Sequence, residues 1–236
     1  MQRSLTVIAK KNVRENLFKW CEILTYELSD QVIFTNSNQM NYMIRYFEEK
    51  FSIKIDREKC VVRPQPSLTR TFCEIKTSNY GLNDSYFNMG NFRNFYSNRS
   101  IGHVLDAIEK FNANASKKVM LDIFTGSEMP ESVISHEYVR TGTLLPYFEF
   151  LNLSGKMDCL IVSDTVTEGT KTINPYLPSK LSDYLGSGAK IWALLEMGSP
   201  MSEYVQSGKI HVASEVSDDA DKLVSALRKL ADGPIA

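Results

Sequence analysis

Lys180 and Asp183 stand three positions apart in the segment Asn174-Pro175-Tyr176-Leu177-Pro178-Ser179-Lys180-Leu181-Ser182-Asp183-Tyr184-Leu185-Gly186-Ser187-Gly188. Pro178-Ser179 opens a predicted helix, Leu181, Tyr184 and Leu185 recur at helical spacing, and Gly186 or Gly188 supplies the stop. A free lysine at a helix N-terminus is chemistry for an anion, because unpaired N–H groups and the positive end of the helix dipole face the same ligand. Lys180 and the backbone N–H groups of Leu177, Ser179 and Lys180 are therefore candidate phosphate or pyrophosphate contacts. Far upstream, Gly90 ends an apolar stretch where the backbone must turn sharply and can approach a diphosphate. His103, His136 and His211 share no metal-ligand spacing with each other or with the cysteines, so no metal site is expected.

These residues need strands and helices to bring them together, and the chain from about Ser85 onward supplies a regular alternation. Apolar strands are predicted at 86–89, 118–124, near 137–140, 158–164, 190–196 and 209–213. Between them Ile101, Val104, Leu105 and Ile108 trace one helix face, Leu144 to Leu153 reads as a second helix and 179–186 as a third. A short helix follows around Met201 to Val205, then an amphipathic one carrying Leu223, Val224, Leu227 and Leu230, with Ser217 or Asp218 as caps. Strands alternating with helices predict an α/β fold with a doubly wound parallel sheet, Rossmann-like, over 85–236.

The first part of the chain is different. Arg14 to Leu28 and Ser37 to Phe47 read as helices, the second capped by Asn36, and Gln31 to Thr35 as a buried strand. Cys60-Val61-Val62 is a short strand that the prolines at 64 and 66 cannot continue. So small a sheet does not stand alone, and 1–66 reads as the tail of a domain whose beginning is absent. Residues 67–84 carry few apolar side chains and read as a linker.

Composition narrows the partners. The 236 residues carry a formal net charge of −1, which gives no overall pull toward nucleic acid or an acidic membrane. Cys21, Cys60, Cys73 and Cys159 form no CxxC pair and read as reduced packing thiols. No apolar run approaches a spanning helix, and Ser4 to Ala9 is too short for a signal-peptide core. A cytoplasmic protein, free or peripheral to the inner face of the membrane, is expected.

The order of these pieces resembles the C-terminal half of GT-B fold glycosyltransferases, of the family 4-like group, over about 30–232. The stretches that carry the match are Ser29 to Asn36, Val61 to Pro66, Met89 to Ser100, and Leu177 to Leu185. The first resembles a late strand of that family's N-terminal domain, the second its interdomain crossing, the third the glycine-containing first turn of the donor domain. The fourth resembles the motif holding the nucleotide's phosphates and ribose.

The resemblance implies one half of a GT-B architecture that takes a nucleotide diphosphate-sugar as donor substrate, with no separate cofactor. It implies transfer of the sugar to an acceptor hydroxyl, on a saccharide or lipid-linked acceptor, with retention, without metal, and as a step of polysaccharide biosynthesis. Arg99, with Arg93 as a second candidate, takes the place of the family's diphosphate-binding cation, and Lys180 joins it. Asp183 stands where relatives have a ribose-binding glutamate, and Thr143 lies where they hold the nucleobase. Pro175 stands where many relatives have another glutamate, and Asn91 where many have an arginine. Catalytic side chains from the rest of the N-terminal domain, in cis or in trans, would complete the enzyme. Two other readings stay open: a non-catalytic nucleotide-binding or scaffold module, and another GT-B enzyme such as a nucleotide-sugar epimerase.

Overall fold

The structure, a computed structural model, describes residues 16–92 and 99–232. It divides into two compact units, the first ending at Pro64 and the second beginning at Gln65.

In the first unit, helical residues 16–28 (α1) precede β1 (Val32–Phe34), α2 (Ser37–Phe51) and β2 (Cys60–Val62), and β1 pairs with β2 in parallel. Asn36 caps α2 as its side-chain oxygen accepts the Gln39 amide hydrogen at 2.7 Å, which fixes the helix start where the sequence puts it. The helix runs one turn beyond the predicted end at Phe47, closing at Ser52 in a left-handed conformation with φ of 55°. Ile23, Ile44, Phe47 and Ile55 form its core, with the Tyr26 ring edge-on to Phe47 at 4.7 Å.

The second unit is built on a six-stranded sheet: β3 (Phe87–Asn91), β4 (Val119–Phe124), β5 (Val139–Gly142), β6 (Cys159–Ser163), β7 (Lys190–Leu195) and β8 (Val212–Glu215). Its order is β5-β4-β3-β6-β7-β8 and every pairing is parallel. The order reverses between β3 and β6, and it is outside the carboxyl ends of two such strands that open α/β sheets bind ligands. This is the doubly wound Rossmann-like sheet that the alternation of strands and helices implies.

The two faces are covered by different helices. On one, α3 (Arg99–Asn112) and α8 (Ala220–Asp232) pack Ile108, Leu227 and Leu230 against Met89, Leu121 and Trp192. On the other, α5 (Tyr147–Ser154), α6 (Lys180–Leu185) and α7 (Met201–Gln206) pack Phe150, Leu181, Tyr184 and Met201 against Phe124, Leu160 and Ile191. A single-turn helix, α4 (Glu131–Ile134), adds Val133 to the first face. Lys190 is buried at the start of β7 and donates to the Leu230 carbonyl at 2.7 Å, placing a cation at the negative end of α8.

Several predicted boundaries move, each for a local reason. Gly90 does not end its strand: β3 runs on through Asn91. The helix expected from Leu144 starts at Tyr147, because Pro146 holds the preceding residue out of the helical region. The strand expected at 209–213 is delayed to Val212, since the amides of Lys209 and Ile210 are spent on the Tyr204 carbonyl. Neither Ser217 nor Asp218 caps α8; Asp219 does, accepting the Lys222 amide hydrogen at 3.0 Å.

Residues 67–84, read as a linker, belong to the second unit. They include a short 3-10 helix at Arg70–Glu74 whose Cys73 is buried in the α5–α7 core. Asn152 donates to the Cys73 carbonyl at 2.7 Å and accepts the Ser78 amide at 2.8 Å. Farther along, the Tyr80 hydroxyl reaches Asp122 on β4. A segment anchored by hydrogen bonds rather than by an apolar stripe looks like a linker in sequence.

Candidate functional site

The carboxyl end of β3 is tied to α6 by a hydrogen bond. The Phe92 amide, just past β3, donates to the Tyr184 hydroxyl at 3.1 Å. The Phe92 ring is buried, stacked on Phe124 at 4.9 Å and edge-on to Phe150 at 5.0 Å. It is therefore part of the packing that holds α6, and not an open stacking platform for a base.

With α6 held there, its polar face forms a compact group. Lys180 lies 3.4 Å from the Asp183 carboxylate and 3.8 Å from the centre of the Phe150 ring. The other Asp183 oxygen accepts from the Tyr147 hydroxyl at 2.8 Å. Partial burial and this bond to a carboxylate push the Tyr147 hydroxyl up to about 12, so it stays protonated and keeps donating this hydrogen bond. The lysine read as free is thus held, half-buried, between a carboxylate and an aromatic face. An ammonium fixed in this way is a pre-positioned charge for an anion, and Asp183 keeps acceptor capacity for a diol.

Among the described residues, the other sequence candidates lie within β3 or on the segments that follow β3, β5 and β6. Thr143 directly follows β5 and is exposed at the carboxyl edge of the sheet. Leu177 is half-buried and packs against the α5–α7 core; Ser179 is exposed, and its carbonyl accepts the Ser182 hydroxyl at 2.9 Å. Ser179 makes no side-chain cap on α6. Arg99 is the first residue of α3, and Arg93 lies outside the described residues.

Gly90 is required by packing. A Cβ there would lie 2.8 Å from Phe92 Cε2 and 3.1 Å from both Leu160 and Met157. Gly186 ends α6 for a related reason: its Cβ would sit 2.0 Å from the Leu68 carbonyl oxygen. The left-handed turn that follows belongs to Gly188, with φ of 82°.

A second group, invisible at the level of motifs, pins the β6–α6 loop. Glu196, just after β7, accepts from the amides of Thr167 at 2.8 Å and Glu168 at 2.5 Å through one oxygen. Its other oxygen accepts from the Thr167 hydroxyl at 2.9 Å and from Asn174 Nδ2 at 2.5 Å. The same loop, with the ends of β7 and β8 and His103 of α3, lines an open cleft of about 880 Å³. The His103 Nδ1–H donates to the Asp218 carbonyl at 3.1 Å, which fixes that ring. The signal for Glu196 was a carboxylate ending a buried strand at the sheet's carboxyl edge; Tyr147 and Tyr184 carried none.

Among the described residues no three His, Cys, Asp or Glu side chains come together as metal ligands would. Among those same residues no helix is long and apolar enough to cross a membrane.

No protein-family model matches the chain, and no curated protein matches it in sequence. Solved structures do match in fold. The pneumococcal O-GlcNAc transferase GtfA, solved with UDP and GlcNAc, is 13% identical with a TM-score of 0.56, over 89% of this chain and 40% of that one. WaaG, a glycosyltransferase involved in lipopolysaccharide biosynthesis, is 10% identical with a TM-score of 0.61, over 87% of this chain and 55% of WaaG.

The chain carries a GT-B-like domain.

The UDP-GlcNAc 2-epimerase of Methanocaldococcus jannaschii has the same GT-B-like fold, with 12% identity and a TM-score of 0.55 over 91% of this chain and 58% of that one. The chain therefore spans about half the length of the solved chains it matches. Its six-stranded parallel sheet flanked by helices is that of a Rossmann-like GT-B half.

Proposed function

We propose that the second unit binds the diphosphate and ribose of a nucleotide-sugar donor and serves a glycosyltransferase, in which the sugar passes to an acceptor hydroxyl with retention and without metal. The observation that supports this reading is the Phe92–Tyr184 hydrogen bond, which ties α6, the helix carrying Lys180 and Asp183, to the end of β3, one of the two strands between which the strand order reverses. In this reading Lys180 and Arg99, with Arg93 as a second candidate, offset the diphosphate charge, Gly90 lets the backbone approach it, and the Leu177–Ser179 backbone lies against it. Asp183 exchanges the Tyr147 hydroxyl for a ribose hydroxyl, and Thr143 lies beside the base. The GT-B-like fold supports the donor class, since its solved examples include GtfA bound to UDP and GlcNAc. Acceptor, membrane-peripheral cytoplasmic location and a role in polysaccharide biosynthesis belong to the same proposal, as does completion of the active site by further N-terminal-domain residues.

Calorimetry with UDP, GDP and ADP tests it. One of them binds, and Lys180→Ala weakens that binding about tenfold, more at low salt than at high. Binding of none of the three leaves the scaffold reading, which the departures at Asn91, Pro175 and Asp183 support. The likeness to the M. jannaschii protein favours an epimerase as second reading; a nucleotide-sugar product with inverted C2 stereochemistry, formed with no acceptor, would establish it.

A further inference from the structure

Resting on that reading, we infer that Glu196 and Asn174 are a positioning pair, through which β7 sets the segment carrying Lys180 and Asp183. Asn174 is the hub. Its Nδ2 donates to Glu196 Oε2 at 2.5 Å and to the Thr165 carbonyl at 2.9 Å, while its Oδ1 accepts the Tyr176 amide hydrogen at 2.9 Å. One side chain thus ties the start of the loop, the end of β7 and the first residues of the Pro175–Pro178 approach to α6. Asn174 is buried, and Glu196 is held in its own turn by the backbone: its amide donates to Asp164 Oδ2 at 3.1 Å. A carboxylate accepting four hydrogen bonds from one loop is an anchor for that loop and leaves little capacity for a ligand. The loop from 164 to 179 is long for a connection between a strand and a short helix, and a long loop must be ordered before it can present side chains accurately. In this chain the ordering carboxylate comes from the neighbouring strand, and position 175 is a proline.

Glu196→Gln separates the two halves of the anchor. The amide oxygen still accepts the Thr167 and Glu168 N–H groups, but its NH₂ meets the NH₂ of Asn174, donor against donor. The experiment measures UDP affinity by calorimetry and amide exchange across 165–183, on the wild type, Glu196→Gln, and Glu196→Gln with Asn174→Asp. If the anchored loop is the binding-competent one, Glu196→Gln speeds exchange at Tyr176 and through 177–183, and weakens UDP about tenfold as the competent fraction drops to about a tenth. Asn174→Asp reverses the donor and acceptor, so the double variant recovers part of both. Wild-type UDP affinity and wild-type exchange in Glu196→Gln would overturn the inference. So would faster exchange at 174–183 with unchanged UDP affinity, which would make the anchor a purely structural feature. If the wild type binds no nucleotide, the donor reading fails by itself, and exchange at 174–183 still decides whether Glu196 sets the segment.

Discussion

The Tyr80 hydroxyl donates to Asp122 Oδ1 across 2.5 Å, joining a segment without regular structure to the middle of β4. Asp122 is fully buried, and its other oxygen receives Arg140 Nη2 at 2.7 Å, with Arg140 also bonded to Asn88 at 3.1 Å. Burial and the adjacent carboxylate hold the Tyr80 hydroxyl well above its ordinary range, so it stays a donor at any working pH.

Removing the charge at the centre of this group strands its partners. Asp122→Asn is expected to cost on the order of 3 kcal/mol, toward the low end for a broken buried pair because the Arg140 side chain keeps 30% exposure. Tyr80→Phe should cost about 1.5–3 kcal/mol, since the bond it removes is to a buried carboxylate. Denaturant midpoints give both values, and an unchanged midpoint for Asp122→Asn would show that the group contributes nothing.

Tyr184→Phe leaves the Phe92 amide without its partner in a buried setting, at about 1–3 kcal/mol. Ile108→Val, on the opposite face of the sheet, costs about 0.5–1.5 kcal/mol. Nucleotide affinity separates them: it should fall in Tyr184→Phe, which loosens α6, and hold in Ile108→Val. Equal losses of affinity would mean that stability alone, not the placement of α6, governs binding.

Two glycines should respond in opposite directions. A Cβ at Gly186 would collide with the Leu68 backbone, so Gly186→Ala is expected to cost about 3 kcal/mol or more. Gly102 lies inside α3 with nothing within 4 Å of its Cβ position, and Gly102→Ala should add about 1 kcal/mol. Thermal melts of the pair read this directly.

The pH dependence at one histidine follows from its acceptor role. His211 Nδ1 accepts the Ile191 amide hydrogen at 3.0 Å, and burial together with the Lys190 charge lowers its pKa. The neutral ring is favoured in the folded state, so the unfolded chain takes up more protons below the ordinary histidine pKa of about 6.5. Stability from this group is complete above that value and declines as pH falls toward the lower folded pKa. His211→Asn keeps an acceptor without a titrating ring and should flatten the midpoint change between about pH 7 and pH 5.5. A variant as pH-sensitive as the wild type in that window would remove His211 from the account.

The scaffold was legible in the sequence because buried parallel strands are written as apolar runs and α3 and α8 as apolar stripes. The order of Gly90, Thr143 and the Lys180–Asp183 segment along the chain leads to the expectation of one shared edge; Gly90 lies inside β3, its Cβ space filled by Phe92, Leu160 and Met157. What the sequence did not carry was partnership. Lys180 read as free because neither Phe150 nor the Asp183 contact is marked by any local pattern, and the Tyr147 and Tyr184 hydroxyls look like ordinary core aromatics. Residues 67–84 failed for the same reason: their anchors are single atoms, Cys73 O, Ser78 N and Tyr80 OH, spread over a polar stretch.

The Tyr80–Asp122 bond has a bearing on recombination between GT-B-like domains. A chimaera joined at 85, where the strands and helices begin, would take the sheet from one parent and leave Tyr80, Cys73 and Leu68 to the other. Asp122 would lose its hydroxyl partner and Gly186 the backbone against which it is fitted. A crossover between Pro64 and Gln65 transfers the sheet together with the strap that fits it.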